Sequence, residues 1–172
     1  MHSSITFQGI LALFIHPQSP VARRLEESFV KPNPDDSDEF IRICKKNGSL
    51  LYKITLVSQA KMKDVVDSIA AEHSISKGKA RKMLASTIQE RLGDWDISDK
   101  IVFDENLVSE QDTSKDGLNR RSLVSYVRNQ AELEIIVDTI CGAIGVAPDS
   151  NRKFHMSVFN LTGNAGDSPS LM

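Results

Sequence analysis

His155 and Ser157 in Lys153-Phe154-His155-Met156-Ser157-Val158-Phe159, with Lys53 and Thr55 in Leu50-Leu51-Tyr52-Lys53-Ile54-Thr55-Leu56-Val57, are the residues whose types and spacing suit chemistry. Both stretches read as buried strands carrying a short polar pair. Side chains at i and i+2 of a strand share one face, so each pair projects side by side. Where two such strands are neighbours, an imidazole, an ammonium and two hydroxyls converge. That donor set suits a phosphate, whose oxygens accept hydrogen bonds and attract a cation.

Elements that position these pairs follow along the chain. Ile5 to Ile15 is apolar enough for a central strand, stopped by His16-Pro17-Gln18-Ser19-Pro20. Pro20 opens a helix through Arg23, Leu25 and Phe29, and the proline-rich run from Lys31 to Asp38 reads as a loop. Phe40 to Cys44 alternates and meets Leu50 to Ser58 across Asn47-Gly48, a strong hairpin signal because both positions tolerate positive φ. Helical spacing covers Ala60 to Glu72 through Met62, Val65, Val66 and Ile69. A second helix runs from about Ser76 to Leu92, with Gly93 expected in a left-handed cap. Ile97 to Phe103 is read as a strand, Asp104 to Leu118 as a long polar loop and Ser122 to Val127 as a strand. Ala131 to Ile144 carries an apolar stripe of Leu133, Ile136, Val137, Ile140 and Ile144, ended by Gly145 and Pro148. After the strand with His155, residues 160–172 form a turn-rich tail.

The His155-Met156-Ser157 motif, the order of elements and the placement of a second polar pair near one third of the chain resemble the two-histidine phosphoesterase superfamily. Its members carry two His-x-Thr/Ser motifs on strands of two lobes. Here Lys53 stands where the family has its first histidine, and Thr55 remains of that motif. The resemblance implies an α+β fold in one domain over residues 1–172, with two pseudo-symmetric, antiparallel-rich lobes, outer helices and a central cleft. It implies metal-independent phosphodiesterase chemistry, without cofactors, on a 2′,3′-cyclic phosphate nucleotide, a cyclic oligonucleotide or an RNA end. One histidine deprotonates the nucleophile and the other protonates the leaving oxygen, a pair of tasks suited to a pKa of roughly 6.5. The motif hydroxyls, here Thr55 and Ser157, hold the non-bridging oxygens. Lys53 supplies charge, but at a pKa near roughly 10.4 it is a poor base unless burial lowers that value. The alternative is a catalytically inactive domain of the same fold that binds RNA, a nucleotide or a protein. His16, at a strand end, and Tyr52 are the other residues available to replace the lost histidine, although alternation points Tyr52 to the opposite face.

Composition bounds these readings. With 172 residues, 40% hydrophobic and 26% charged, the chain matches one globular domain. No apolar run reaches the roughly 18 to 20 residues that cross a bilayer, so no membrane partner is expected. The net charge of −2 argues against a general nucleic-acid coat. Lys77, Lys79, Arg81, Lys82 and Arg91 crowd one helix, and Asp94, Asp96, Asp99, Asp104, Glu105, Glu110, Asp112 and Asp116 follow, giving charged surfaces for solvent or a protein partner. Cys44 and Cys141 are read as buried free thiols, consistent with a reducing cytoplasm. His2, His16, His73 and His155 lack metal-ligand spacing, and no phosphate-binding Gly-rich loop or Gly-x-Ser-x-Gly elbow is present.

Overall fold

The structure, a computed structural model, describes residues 3–29, 40–45, 51–113, 117–164 and 168. The opening apolar run is two strands, β1 (Ser4–Gln8) and β2 (Ile10–Phe14), folded back at Gly9. Gly9 has φ +83°, a left-handed value that costs glycine nothing. The single strand expected over Ile5 to Ile15 is therefore corrected to a hairpin. Ile5 and Phe7 before the turn, and Leu11, Leu13 and Ile15 after it, are all odd-numbered. A one-residue turn preserves the alternation, so periodicity could not reveal it.

Helix α1 spans Pro20–Ser28, with the Ser19 hydroxyl accepting from the Ala22 N–H at 3.2 Å. A short strand β3 (Ile41–Arg42) and β4 (Lys53–Val57) come next. β3 and β4 do not pair with each other, and the expected Asn47-Gly48 turn lies outside the described residues. Both run antiparallel to β7 (His155–Asn160) on the same edge: Ile41 pairs with Asn160 and Arg42 with Phe159, while Ile54 pairs with Met156. β3 and β4 thus lie end to end along that edge, as one interrupted strand. Between them the Leu51 N–H donates to the Ile43 carbonyl at 3.3 Å.

Helices α2 (Gln59–His73) and α3 (Lys77–Leu92) follow, N-capped by Ser58 and Ser76. Asp149 accepts from both the Ser58 N–H and its hydroxyl, at 2.8 and 2.5 Å, tying the start of α2 to the approach to β7. Gly93 ends α3 in the right-handed region, φ −59°, which corrects the expected left-handed cap. A Cβ at Gly93 would come within 2.4 Å of the Gln89 carbonyl, so close approach rather than positive φ accounts for the glycine.

Ile97 to Phe103, expected as a strand, instead forms a 3-10 turn at Ser98–Lys100 and a single bridge between Phe103 and Val127. Asp96 bends the chain by accepting from the Ser98 N–H and hydroxyl, at 3.0 and 2.6 Å. The expected loop after it contains β5 (Val108–Asp112), which forms a hairpin with β6 (Arg120–Tyr126). Val-Ser-Glu-Gln-Asp lacks a strand's apolar face because β5 is a sheet edge, where charge also discourages pairing with another chain. Helix α4 (Gln130–Ile144) ends at Gly145 as expected.

The fold is α+β. All strand pairs are antiparallel, and the sheet order is β1-β2-β4-β7-β6-β5, with β3 also on β7. Hairpin, helix and strand occur in this order twice, as β1-β2-α1-β4, with the short β3 before β4, and as β5-β6-α4-β7, and the two series meet at β4 and β7. One contiguous core joins Leu11, Leu13, Ile54, Leu123 and Met156 of the sheet to Met62, Leu84, Ile88 and Val137 of the helices. Cys141 is buried, whereas Cys44 is half-exposed, correcting the expectation of two buried thiols. Among the described residues, no helix is long and apolar enough to cross a membrane.

Candidate functional site

The pairing of Ile54 with Met156 fixes the geometry of the site. Both side chains are fully buried in the core, so the residues on either side of each face the opposite way. Lys53 and Thr55 therefore share one face with His155 and Ser157, and all four are half-buried there. In this register Lys53 stands across from Ser157 and Thr55 across from His155. Opposed Cβ atoms in such a ladder lie about 5 Å apart and diagonal ones about 7 to 8 Å, which brings the four groups within reach of one small ligand.

Their surroundings differ. His155 is held on two sides: its Nδ1 donates to the Lys153 carbonyl at 3.0 Å, and its ring lies 5.8 Å from that of Tyr126 at 57°. Because a carbonyl only accepts, Nδ1 carries the proton and Nε2 keeps its lone pair. Burial pushes the imidazole below its usual value of 6.5, with Lys153 adding to the fall and the hydrogen bond and Glu110 opposing it. A neutral imidazole with a free Nε2 at neutral pH is a general base in waiting.

Lys53 has no carboxylate or hydrogen-bond acceptor among the described residues. Burial alone lowers its ammonium below 10.5. Thr55 and Ser157 likewise donate their hydroxyls to no acceptor among the described residues. An uncompensated cation with two free hydroxyls beside it is a set of donors lacking its acceptor.

Tyr126, opposite His155 on β6, supports the site although its sequence context did not mark it. Its hydroxyl donates to Glu110 Oε1 of β5 at 2.5 Å, and the Lys153 Nζ sits 4.0 Å from the ring centroid. Burial and Glu110 push the phenol up to about 12, so it stays protonated as a donor. Phe14 of β2 stands opposite Lys53 on the same face. Neither position was legible beforehand, because only the register of β2 on β4 and of β6 on β7 identifies it.

The two residues available to replace a second histidine are each engaged by a neighbour. Tyr52 is buried in the core, its hydroxyl accepting from Arg42 at 2.8 Å, as alternation anticipated. His16 accepts the Gln18 N–H on Nδ1 at 3.1 Å and serves the turn after β2. Among the described residues, no group of three His, Cys, Asp or Glu side chains gathers where a metal ion would bind. The basic residues of α3 face solvent, with Lys77 paired to Asp67 at 3.2 Å.

No family model, curated protein or solved structure gives a significant match to this chain.

Proposed function

We propose that this chain is a two-histidine phosphoesterase-like domain that binds a phosphate-bearing nucleotide or RNA end at Lys53, Thr55, His155 and Ser157, without a metal. The observation that carries the reading is the half-buried Lys53 ammonium, which has no counter-charge among the described residues and lies beside two unengaged hydroxyls and an oriented imidazole. The paired hairpin-helix-strand series support it. They are the two halves of a pseudo-symmetric fold whose approximate two-fold axis passes between Ile54 and Met156. That axis relates Lys53 to His155 and Thr55 to Ser157.

On a 2′,3′-cyclic phosphate, the His155 Nε2 takes the proton of a water molecule whose oxygen bonds to phosphorus. The endocyclic P–O bond breaks, and its oxygen receives a proton from the Lys53 ammonium. Burial makes Lys53 a better acid than an exposed lysine, which fits it for this task. Thr55 and Ser157 donate to the non-bridging oxygens as charge builds on them. The imidazolium then returns its proton to the Lys53 amine through solvent.

The second reading, binding without turnover, is favoured by Lys53 itself, since a lysine at the first motif position is a stronger anion ligand than a proton shuttle. Phosphorus NMR on 2′,3′-cyclic nucleotides and short cyclic oligonucleotides, with the protein and its His155→Ala variant, tests both. Turnover lost in His155→Ala establishes the enzyme. Line broadening without turnover, lost in Lys53→Ala, establishes the binding domain. Neither broadening nor turnover overturns the phosphate reading.

A further inference from the structure

Two aromatic side chains flank the four polar residues, one from each half of the sheet. Tyr126 is the cross-strand partner of His155, and Phe14 that of Lys53. The two positions correspond, yet their rings are used differently. Tyr126 is engaged by Lys153 over its ring, by Glu110 at its hydroxyl and by His155 at a tilt. Phe14 has polar neighbours on both adjacent strands, Ser4 on β1 and Lys53 on β4. It is half-buried and stands outside both the core cluster and the partly buried hydrophobics packed against it, among which Phe7 and Phe103 are found. A phenyl ring in a polar row, packed on no core, is a surface for another flat apolar group.

We infer that Phe14 is the platform on which the base of a nucleotide stacks while its phosphate is held by Lys53, Thr55 and Ser157. The inference rests on the phosphate reading of that site and adds to it where the base of the nucleotide lies. Neighbouring strands lie about 4.8 Å apart, a spacing that a ribose joining base to phosphate can bridge from β2 to β4. The β2 side is the side available to a base, because on the β6 side Lys153 already lies over the Tyr126 ring. Phe14 has no hydrogen-bonding group with which to read a base edge, so the platform takes the π-face of any base and favours the larger purines.

Calorimetric titration with adenosine 5′-monophosphate and with ribose 5-phosphate separates the two parts, since the probes differ only in the base. The intact protein is expected to bind the nucleotide about tenfold more tightly than the sugar phosphate, a factor within the range of one base–aromatic stack. Phe14→Leu should remove that difference and leave ribose 5-phosphate binding unchanged, and Phe14→Tyr should restore it. Lys53→Ala should weaken both probes alike. Equal affinity for the two probes, or an equal loss of both in a folded Phe14→Leu, overturns the platform while leaving the phosphate site standing. Binding of neither probe overturns the phosphate reading, and the platform falls with it.

Discussion

The two halves of the sheet deliver similar strands to the centre and hold them differently. In the second half, β6 lies alongside β7 over its whole length, and Tyr126, Glu110 and Lys153 fix the His155 ring. In the first half, β4 meets β7 at the Ile54–Met156 pair, and its Lys53 is constrained by burial rather than by a partner among the described residues. One half presents an oriented imidazole and the other a half-buried cation with no partner among the described residues. On the proposed phosphate reading, the first half supplies attraction and the second direction.

The sharpest way to break this comparison is to remove the two central side chains separately. His155→Ala should lower any cyclic phosphodiesterase rate by about 10²- to 10⁴-fold, the usual loss of a general base. Lys53→Ala should instead act first on ligand affinity. Equal effects of both variants on rate and affinity would erase the distinction. Placing a histidine there with Lys53→His should raise the rate if the proposed machinery is otherwise intact, and no gain would favour the binding reading.

On the core side of the same strands the halves should behave alike. Ile54→Ala and Met156→Ala each empty a fully buried position and should cost about 2 to 5 kcal/mol in denaturant unfolding. A much smaller cost at Ile54 would show that the interrupted strand is loosely held.

Much of this architecture was legible beforehand, and its failures share a cause. Leu133, Val137, Ile140 and Ile144 announced α4, and Met62 with Val66 announced α2, because a helix writes its buried face at a local period. Pairing is not local. The Gly9 turn hid behind preserved alternation, β5 lacked an apolar face because it is an edge, and the Asn47-Gly48 signal did not reveal that β3 and β4 would share a neighbour a hundred residues away. The site divides in the same way. His155, Ser157, Lys53 and Thr55 were marked by type and spacing, whereas Tyr126 and Phe14 depend on cross-strand register.

Smaller effects refine the comparison. Lys53→Met should raise stability by on the order of 1 kcal/mol, since an uncompensated cation in a half-buried position costs more than an apolar chain of similar shape. Tyr126→Phe should cost about 0.5 to 1.5 kcal/mol through the lost hydrogen bond to Glu110. The pH dependence has a definite sign. The folded His155 binds its proton less readily than the unfolded chain, whose histidine titrates near 6.5. Stability from this residue is therefore complete above that value and falls as pH drops through the window below it. Melting temperature measured from pH 7.5 to 5 should decline less in His155→Gln than in the parent, and identical slopes would contradict a buried neutral imidazole.

The place of β7 in the sheet has a consequence for biosynthesis. Among the described strands it is the last in sequence, yet it fills the slot between β4 and β6. Until it leaves the ribosome, the chain can assemble β1-β2-β4 and β5-β6 only as separate pieces, each with an unpaired edge where β7 belongs. Docking of the nascent β7 joins the pieces and brings His155 to Lys53 in the same event, so a translation product stopped before residue 155 would lack the four-residue cluster and be prone to aggregate.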